Sequence, residues 1–379
     1  MGGTVDEYAG RVLAGRYRLP RSPADEFELV ETPAFDTYSG QEVLVRQLLL
    51  PEVVPAEFDG DPDGYPDGDP DGYDGYGRAP AHADDAAERA LRAARAAAAL
   101  PDHPRLVQVF DVLVEDGSLW VVSELVPGAR PVAAMTGFAP LTAYRAAEIA
   151  ADLLAGLRAL HAHGWTHRNI TASTVLVCDD GRAMLDGLAF GAAQEALCGY
   201  DPVPLEVLTG AGGTDEAPAG GWAGGPDSAL AGERARTARL SVVGPVTERW
   251  APEQAATPVR GNWQLAPPIG PEADLWALGA LLFRSVQGHA AFPEDNAAEL
   301  AHLVCCEPAA PAEECGPLRP VVESLLRADP AERPGVEELN GWLRSLVRSA
   351  PEPDLGGAVS LPTDDPKRLP IVRRKGELV

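Results

Sequence analysis

The spacing of apolar residues changes along this chain, and that change bounds the fold more tightly than any single motif. Through residue 126 apolar positions mostly alternate with polar ones, as in YRL at 17–19, FELV at 27–30 and EVLVRQL at 42–48. That is the period of a strand with one buried face. Two more strands are predicted over 106–114 and 118–126, around the turn EDGS at 115–118. One Ala-rich helix, over 84–100, falls within this part. From residue 141 the helical period takes over, with Ile149, Leu153, Leu157 and Leu160 along one face of a helix over 141–162. Short strands are predicted near 175–177 and 183–185, and helices over 273–287, 297–305, 318–328 and 336–347. A small strand-rich unit with one helix, followed by a larger helical unit, is an α+β chain of two lobes, and 379 residues are enough for both.

Three segments follow neither period. Residues 57–85 hold ten acids and one base in a near-repeat, DGDPDGYP then DGDPDGYD from Asp59. Pro and Gly at this density forbid a helix or a paired strand, so a disordered acidic insertion is expected. Its alternating carboxylates ahead of Gly64 and Gly72 resemble the start of a calcium loop, but the twelfth positions are Pro70 and Arg78 where a standard loop needs Glu. A looser carboxylate calcium loop is the alternative. Residues 192–248 are rich in Gly, Ala and Pro and are read mostly as a long mobile loop. Residues 349–379 form a Pro-rich tail with five bases and one acid in the last 13 positions.

Charge and composition exclude several classes. A net charge of −26 argues against a nucleic-acid binder that works through a basic surface. Five cysteines (Cys178, Cys198, Cys305, Cys306 and Cys315) show no paired metal-ligand spacing, so a disulfide scaffold or zinc ribbon is not expected and a reducing, cytoplasmic setting is. No signal peptide and no run of 18 apolar residues is seen. The basic tail is of the sort that lies just cytoplasmic of a membrane helix, so the chain is expected either to be the cytoplasmic part of an anchored protein or to end in a solvated tail. Lysine is the most informative count: only Lys367 and Lys375 are present, so residues 1–366 offer no ammonium to any mechanism.

Six short motifs occur in order: HP at 103–104, WVVSELV at 120–126, HAHGWTHRN at 161–169, WAPE at 250–253, DLWALG at 274–279 and DPAERP at 329–334. Together they resemble the eukaryotic-like Ser/Thr protein kinases of bacteria, over roughly residues 15–347. The resemblance implies a bilobal protein-kinase-like fold: after a tail at 1–14, a small antiparallel-sheet lobe plus one helix over 15–125, then a larger, mostly helical lobe over 126–348. It also implies structural roles for His167, Arg168, Asp274 and Leu188, and a pairing of Arg333 with Glu253.

The parts that phosphoryl transfer needs are changed. The flap segment RSPADEFELVETPAFDTYSG at 21–40 has no Gly before Gly40 and carries Asp25, Glu26, Glu28 and Glu31. The strand Lys falls on Arg46 in VLVR at 43–46, which is read as a phosphate contact or as a solvated or locally paired charge. The helix Glu falls on Ala93, with Glu88 off that face. In HRNITAST at 167–174 the catalytic Asp becomes Asn169, which cannot take a proton near neutral pH. The Lys and the metal-binding Asn become Thr171 and Thr174. The DFG triplet falls on GLA at 187–189, so Gly187 replaces the metal ligand. Asp186 lies one residue early and, by the alternation of extended chain, is expected to turn its carboxylate away. A register with the ligand at Asp186 is the alternative.

The resemblance with these changes implies a degenerate member, a pseudokinase that docks or regulates in signalling, without catalytic residues, metal or required cofactor. The rival readings are a divergent active Ser/Thr kinase and a sensor that binds ATP without Mg²⁺ through Arg46, Ser123, Glu124 and Val126. The expected partners are signalling proteins, among them an active Ser/Thr kinase or a phosphopeptide-binding protein. Such a kinase would modify a Ser or Thr within 192–248, whose phosphate would dock on Arg168 or recruit a phosphopeptide-binding partner; the alternative is that this segment is only an unselected linker.

Overall fold

Residues 10–20, 31–50, 81–200, 229–255, 269–350, 373–374 and 377–378 are described in the structure, a computed structural model. The small lobe is built on β1 (Val12–Leu13), β2 (Tyr17–Arg18), β3 (Glu31–Asp36), β4 (Gln41–Leu49), β5 (Val109–Glu115) and β6 (Ser118–Glu124). They form one antiparallel sheet in the order β1-β2-β3-β4-β6-β5. The period-two pattern explains its two faces. Val43 and Val45 of β4 join Leu13, Tyr17, Leu19, Ala34, Trp120 and Val122 in a small outer core. Leu48, Leu119 and Val121 face the main core. The Tyr17 hydroxyl donates to Asp111 at 3.0 Å and Arg11 pairs with Glu115 at 3.1 Å, so the sheet curls until its first and last strands meet.

The helix α1 (Ala81–Ala98) covers the inner face. Its buried residues Ala90, Ala93, Ala94 and Ala97 follow the i, i+3, i+4, i+7 pattern of one helix face. The chain then passes β6, β7 (Arg130–Pro131) and α2 (Val132–Thr136) into α3 (Ala143–Ala162), where the Thr142 hydroxyl caps the helix by accepting from the Arg145 N–H at 3.2 Å. Ile149, Leu153, Leu157 and Leu160 of α3 are all buried. Strand β8 (Val175–Val177) pairs with β7 on one side and with β9 (Ala183–Leu185) on the other in a three-stranded sheet.

The segment read as a long mobile loop is corrected in its described parts. It contains most of α4 (Leu188–Leu197), then α5 (Ala229–Val242) and a 3-10 turn at Thr247–Arg249. The Ala-rich run 188–197 has no amphipathic stripe because it is buried all round, which hides a short helix from a periodicity reading. Residues 201–228, which include Thr209, Thr214 and Ser228, lie outside the described residues. So do 21–30, 51–80 and most of the tail; of the tail, β10 (Arg373–Arg374) and β11 (Glu377–Leu378) form a hairpin.

The rest of the large lobe is α6 (Pro252–Ala255), α7 (Glu272–Gln287), α8 (Ala297–Cys306), α9 (Arg319–Leu325) and α10 (Val336–Arg348). The central α7 is buried over most of its length. Gly279 is required there: a Cβ would sit 2.6 Å from Cβ of Leu325, so only glycine lets α9 lie this close. The expected two-lobed α+β architecture is thus the one observed.

Candidate functional site

Strand β4 carries Arg46 into the space between the lobes. Leu44, Arg46 and Leu48 share the face that meets Ser123, Val121 and Leu119 of β6. Arg46 is 7% exposed. Its Nη2 donates to Asp186 Oδ2 at 2.8 Å and its Nε to Glu31 Oε2 at 3.1 Å. Burial opposes the guanidinium charge, but the two carboxylates outweigh it and raise the pKa. Arg46 is therefore locally paired, and the reading of it as a solvated charge is corrected.

The expected turning away of Asp186 is also corrected. After β9 the Asp186 N–H donates to the Thr174 carbonyl at 2.8 Å, and the chain bends at Gly187, which has φ +81° and caps α4. That left-handed residue ends the extended geometry on which the alternation argument rests. The Asp186 carboxylate thus faces β4, and its second oxygen accepts from the Gly187 N–H at 2.5 Å. The carboxylate that enters the cleft belongs to Asp186, as in the alternative register. Leu188 opens α4 and is buried in the main core.

Bonds within the HRNITAST loop and to its neighbours hold it in place. The Asn169 amide donates to the Gly187 carbonyl at 3.0 Å. The Thr174 hydroxyl donates to the Asn169 carbonyl at 2.5 Å and lies 3.1 Å from that of Thr171. Asp274, fully buried on α7, accepts from the N–H groups of His167 and Arg168 at 2.8 Å each, and its Oδ2 lies 2.9 Å from His161 Nε2. These bonds hold Arg168 at φ +58°. His167 is buried, and burial lowers its pKa to about 4, so it is neutral. Arg333 donates to both Glu253 oxygens, at 2.6 and 2.8 Å, and stacks 5.3 Å from the Trp276 ring centroid, so the pairing expected from the resemblance is present.

A second buried charge cluster lies behind the cleft. Glu195 of α4 is fully buried and meets three arginines: Arg239 of α5 at 2.7 Å, Arg249 at 3.2 Å and Arg168 at 3.8 Å. Burial opposes ionisation of Glu195, but the three cations outweigh it and hold its pKa below the usual carboxylate range. One carboxylate cannot compensate three guanidiniums equally. Arg239 has two contacts with it and is held above its ordinary value, whereas burial lowers Arg168 to about 10 and also lowers Arg249. Arg168 also donates to the Ile269 carbonyl at 2.8 Å. The place expected to receive a phosphate is filled by Glu195. Glu195, Arg239 and Arg249 were not found from the sequence; the available signal was a carboxylate inside the apolar run LAFGAAQEAL at 188–197, which demands buried partners.

The structure brings some candidates together and separates others. A cleft cavity of about 700 Å³ is lined by Arg46, Asn169, Thr171, Thr174, Gln194 and Arg249. Glu124 and Val126 line another cavity of about 430 Å³, with His103, Arg105, Cys178 and Met184. Ser123 is buried opposite Leu44, the Glu124 N–H donates to the Gln108 carbonyl at 2.9 Å and the Val126 carbonyl accepts from Ala129 at 3.3 Å. Ala93 is buried in the core shared by α1 and α4.

A curled sheet with one helix, joined to a helical lobe whose central helix anchors the HRN loop, is an arrangement consistent with a protein-kinase fold. Residues 79–192 match the family model described as protein tyrosine and serine/threonine kinase. The chain is 28% identical over 247 residues to the serine/threonine-protein kinase PkaA of Streptomyces coelicolor, covering 65% of this chain and 37% of that protein. It is 26% identical over 246 residues to the serine/threonine-protein kinase PAK 4 of Homo sapiens, covering 62% and 32%. It is 33% identical over 112 residues to the serine/threonine-protein kinase PknH of Mycobacterium tuberculosis, covering 29% and 18%. Over these segments the chain is similar to the protein-kinase family and to distant bacterial and eukaryotic Ser/Thr kinases, and it spans well under half the length of these relatives.

Proposed function

We propose that this kinase domain transfers no phosphate and serves as a docking or allosteric module in signalling. The observation that carries the reading is the buried Arg46–Asp186 pair at 2.8 Å. Kinase chemistry rests on positioning and on charge stabilisation by a lysine, a base and metal ions. Here the one carboxylate that reaches the cleft from the end of β9 is spent on an arginine and on the Gly187 N–H. At the base position Asn169 has an amide, which accepts no proton, and its N–H is already given to Gly187. Thr174 offers a hydroxyl that is bonded within its own loop. This donor set does not fit a magnesium–nucleotide complex. Signalling proteins, among them an active Ser/Thr kinase, are the partners that follow from the kinase relationship.

The test is incubation of the full chain with labelled ATP and Mg²⁺ or Mn²⁺, alone and with generic protein substrates. No label should reach the chain or the substrate. Transfer that Arg46→Ala or Asp186→Ala abolishes would overturn the reading and return the protein to the divergent active kinases.

A further inference from the structure

Away from the cleft, a cavity of about 440 Å³ lies in the large lobe between α7, α8, α9 and the segment 307–312. Its walls are apolar: Phe292, Val304, Ala312 and Val322 are buried, and Leu326 is partly so. Its charged lining residues, Glu307, Glu323 and Arg327, are all exposed and belong to the rim. One polar group is anomalous. Trp276 lines the cavity and is 1% exposed, yet among the described residues its indole N–H has no hydrogen-bond partner. Its ring is fixed by stacking on Phe292, with centroids 6.1 Å apart, and by Arg333 above it. Buried indole N–H groups usually find an acceptor, and an unmatched one is costly.

Size, apolar walls and one fixed donor are the features of a small-molecule site. We propose that this cavity binds an uncharged, ring-bearing molecule that presents one acceptor oxygen, a carbonyl in the simplest case, to Trp276 Nε1. The ring packs against Phe292, Val322 and Leu326. The interior lacks a buried charge to neutralise a carboxylate or an ammonium, so charged ligands are disfavoured. The site is independent of phosphoryl transfer. It lies on the helix whose Asp274, two residues earlier, anchors the HRN loop.

The test uses naphthalene carboxamide as probe and methylnaphthalene, equal in shape but without an acceptor, as control. The readout is the indole N–H resonance of Trp276 in the full-length protein. The carboxamide should shift that resonance saturably and bind about tenfold or more tightly than the hydrocarbon, the discrimination a single buried hydrogen bond supplies. Ala310→Leu narrows the cavity from a partly exposed position on its lining and leaves Trp276 in place, and should weaken carboxamide binding by about tenfold or more as apolar contact is lost. Trp276→Phe should remove the preference for the carboxamide over the hydrocarbon. If it fails to fold because it loses packing on Phe292 and Arg333, Ala310→Leu decides alone. An unmoved Trp276 resonance, equal affinity for the two probes, or unchanged binding to Ala310→Leu would overturn the proposal and leave the cavity to solvent water.

Discussion

Two buried carboxylates, Asp186 and Glu195, settle what the arginines of this domain do. Breaking a buried ion pair strands its partner, at a cost of about 3–5 kcal/mol. Glu195→Gln leaves Arg168, Arg239 and Arg249 facing one another, and should lower stability by that order in chemical denaturation. The exposed pair Arg319–Glu323, each side chain 50% exposed, is the contrast: Glu323→Gln should leave the melting temperature where it is. Asp186→Asn should likewise destabilise, with Arg46 keeping only the half-exposed Glu31. His167 adds a pH dependence. Burial holds its folded pKa at about 4 against 6.5 ordinarily, so between these values the unfolded chain binds more protons. This contribution is intact above about pH 6.5 and is lost as pH falls toward 4, by on the order of 3 kcal/mol in all. His167→Phe should flatten that part of the stability–pH curve; an unchanged slope would show that His167 titrates normally in the folded protein.

At the scale of elements, α4 decides the arrangement. Its Ala189, Ala192, Ala193 and Ala196 and the alanines of α1 belong to one core, and small side chains let the two helices come together. Ala93→Glu would put a charge into that core with Arg46 already bound to Asp186. It should destabilise the fold, as read by denaturant titration. Ala192→Leu overpacks the same core, and a loss of about 1–3 kcal/mol is expected by denaturant titration. The Ala-rich helix over 84–100 and the stripe Ile149 to Leu160 were legible because each helix has one wet side. The helix Leu188–Leu197 was not, because it has none. The 3-10 turn Thr247–Arg249 was hidden for a related reason: Arg249 is buried only because Gln194 and Glu195 come to meet it from a distant segment.

For the whole molecule, the two lobes meet through Arg46 and Asp186, and that closure predicts the response to nucleotide. A ligand at about 100 times its Kd would stabilise the fold by about 2.7 kcal/mol, well within reach of a melting curve. Millimolar ATP should shift the melting temperature little, and Mg²⁺ should add nothing; a large Mg²⁺-dependent rise would show that Asp186 leaves Arg46 for the metal. The sequence by itself determined the two-lobed order of strands and helices, because the period of apolar residues records which side of each element is buried. It also determined that no lysine stands in residues 1–366 and that position 169 of the HRN motif carries an amide. Only the tertiary structure decided the direction of Asp186, the burial of Arg46 and the filling of the Arg168 site by Glu195. Those outcomes depend on contacts between residues 140, 44 and 54 positions apart. Whether a charge is solvated or paired is set by what the fold brings within about 3 Å of it, and local sequence carries no record of that distance.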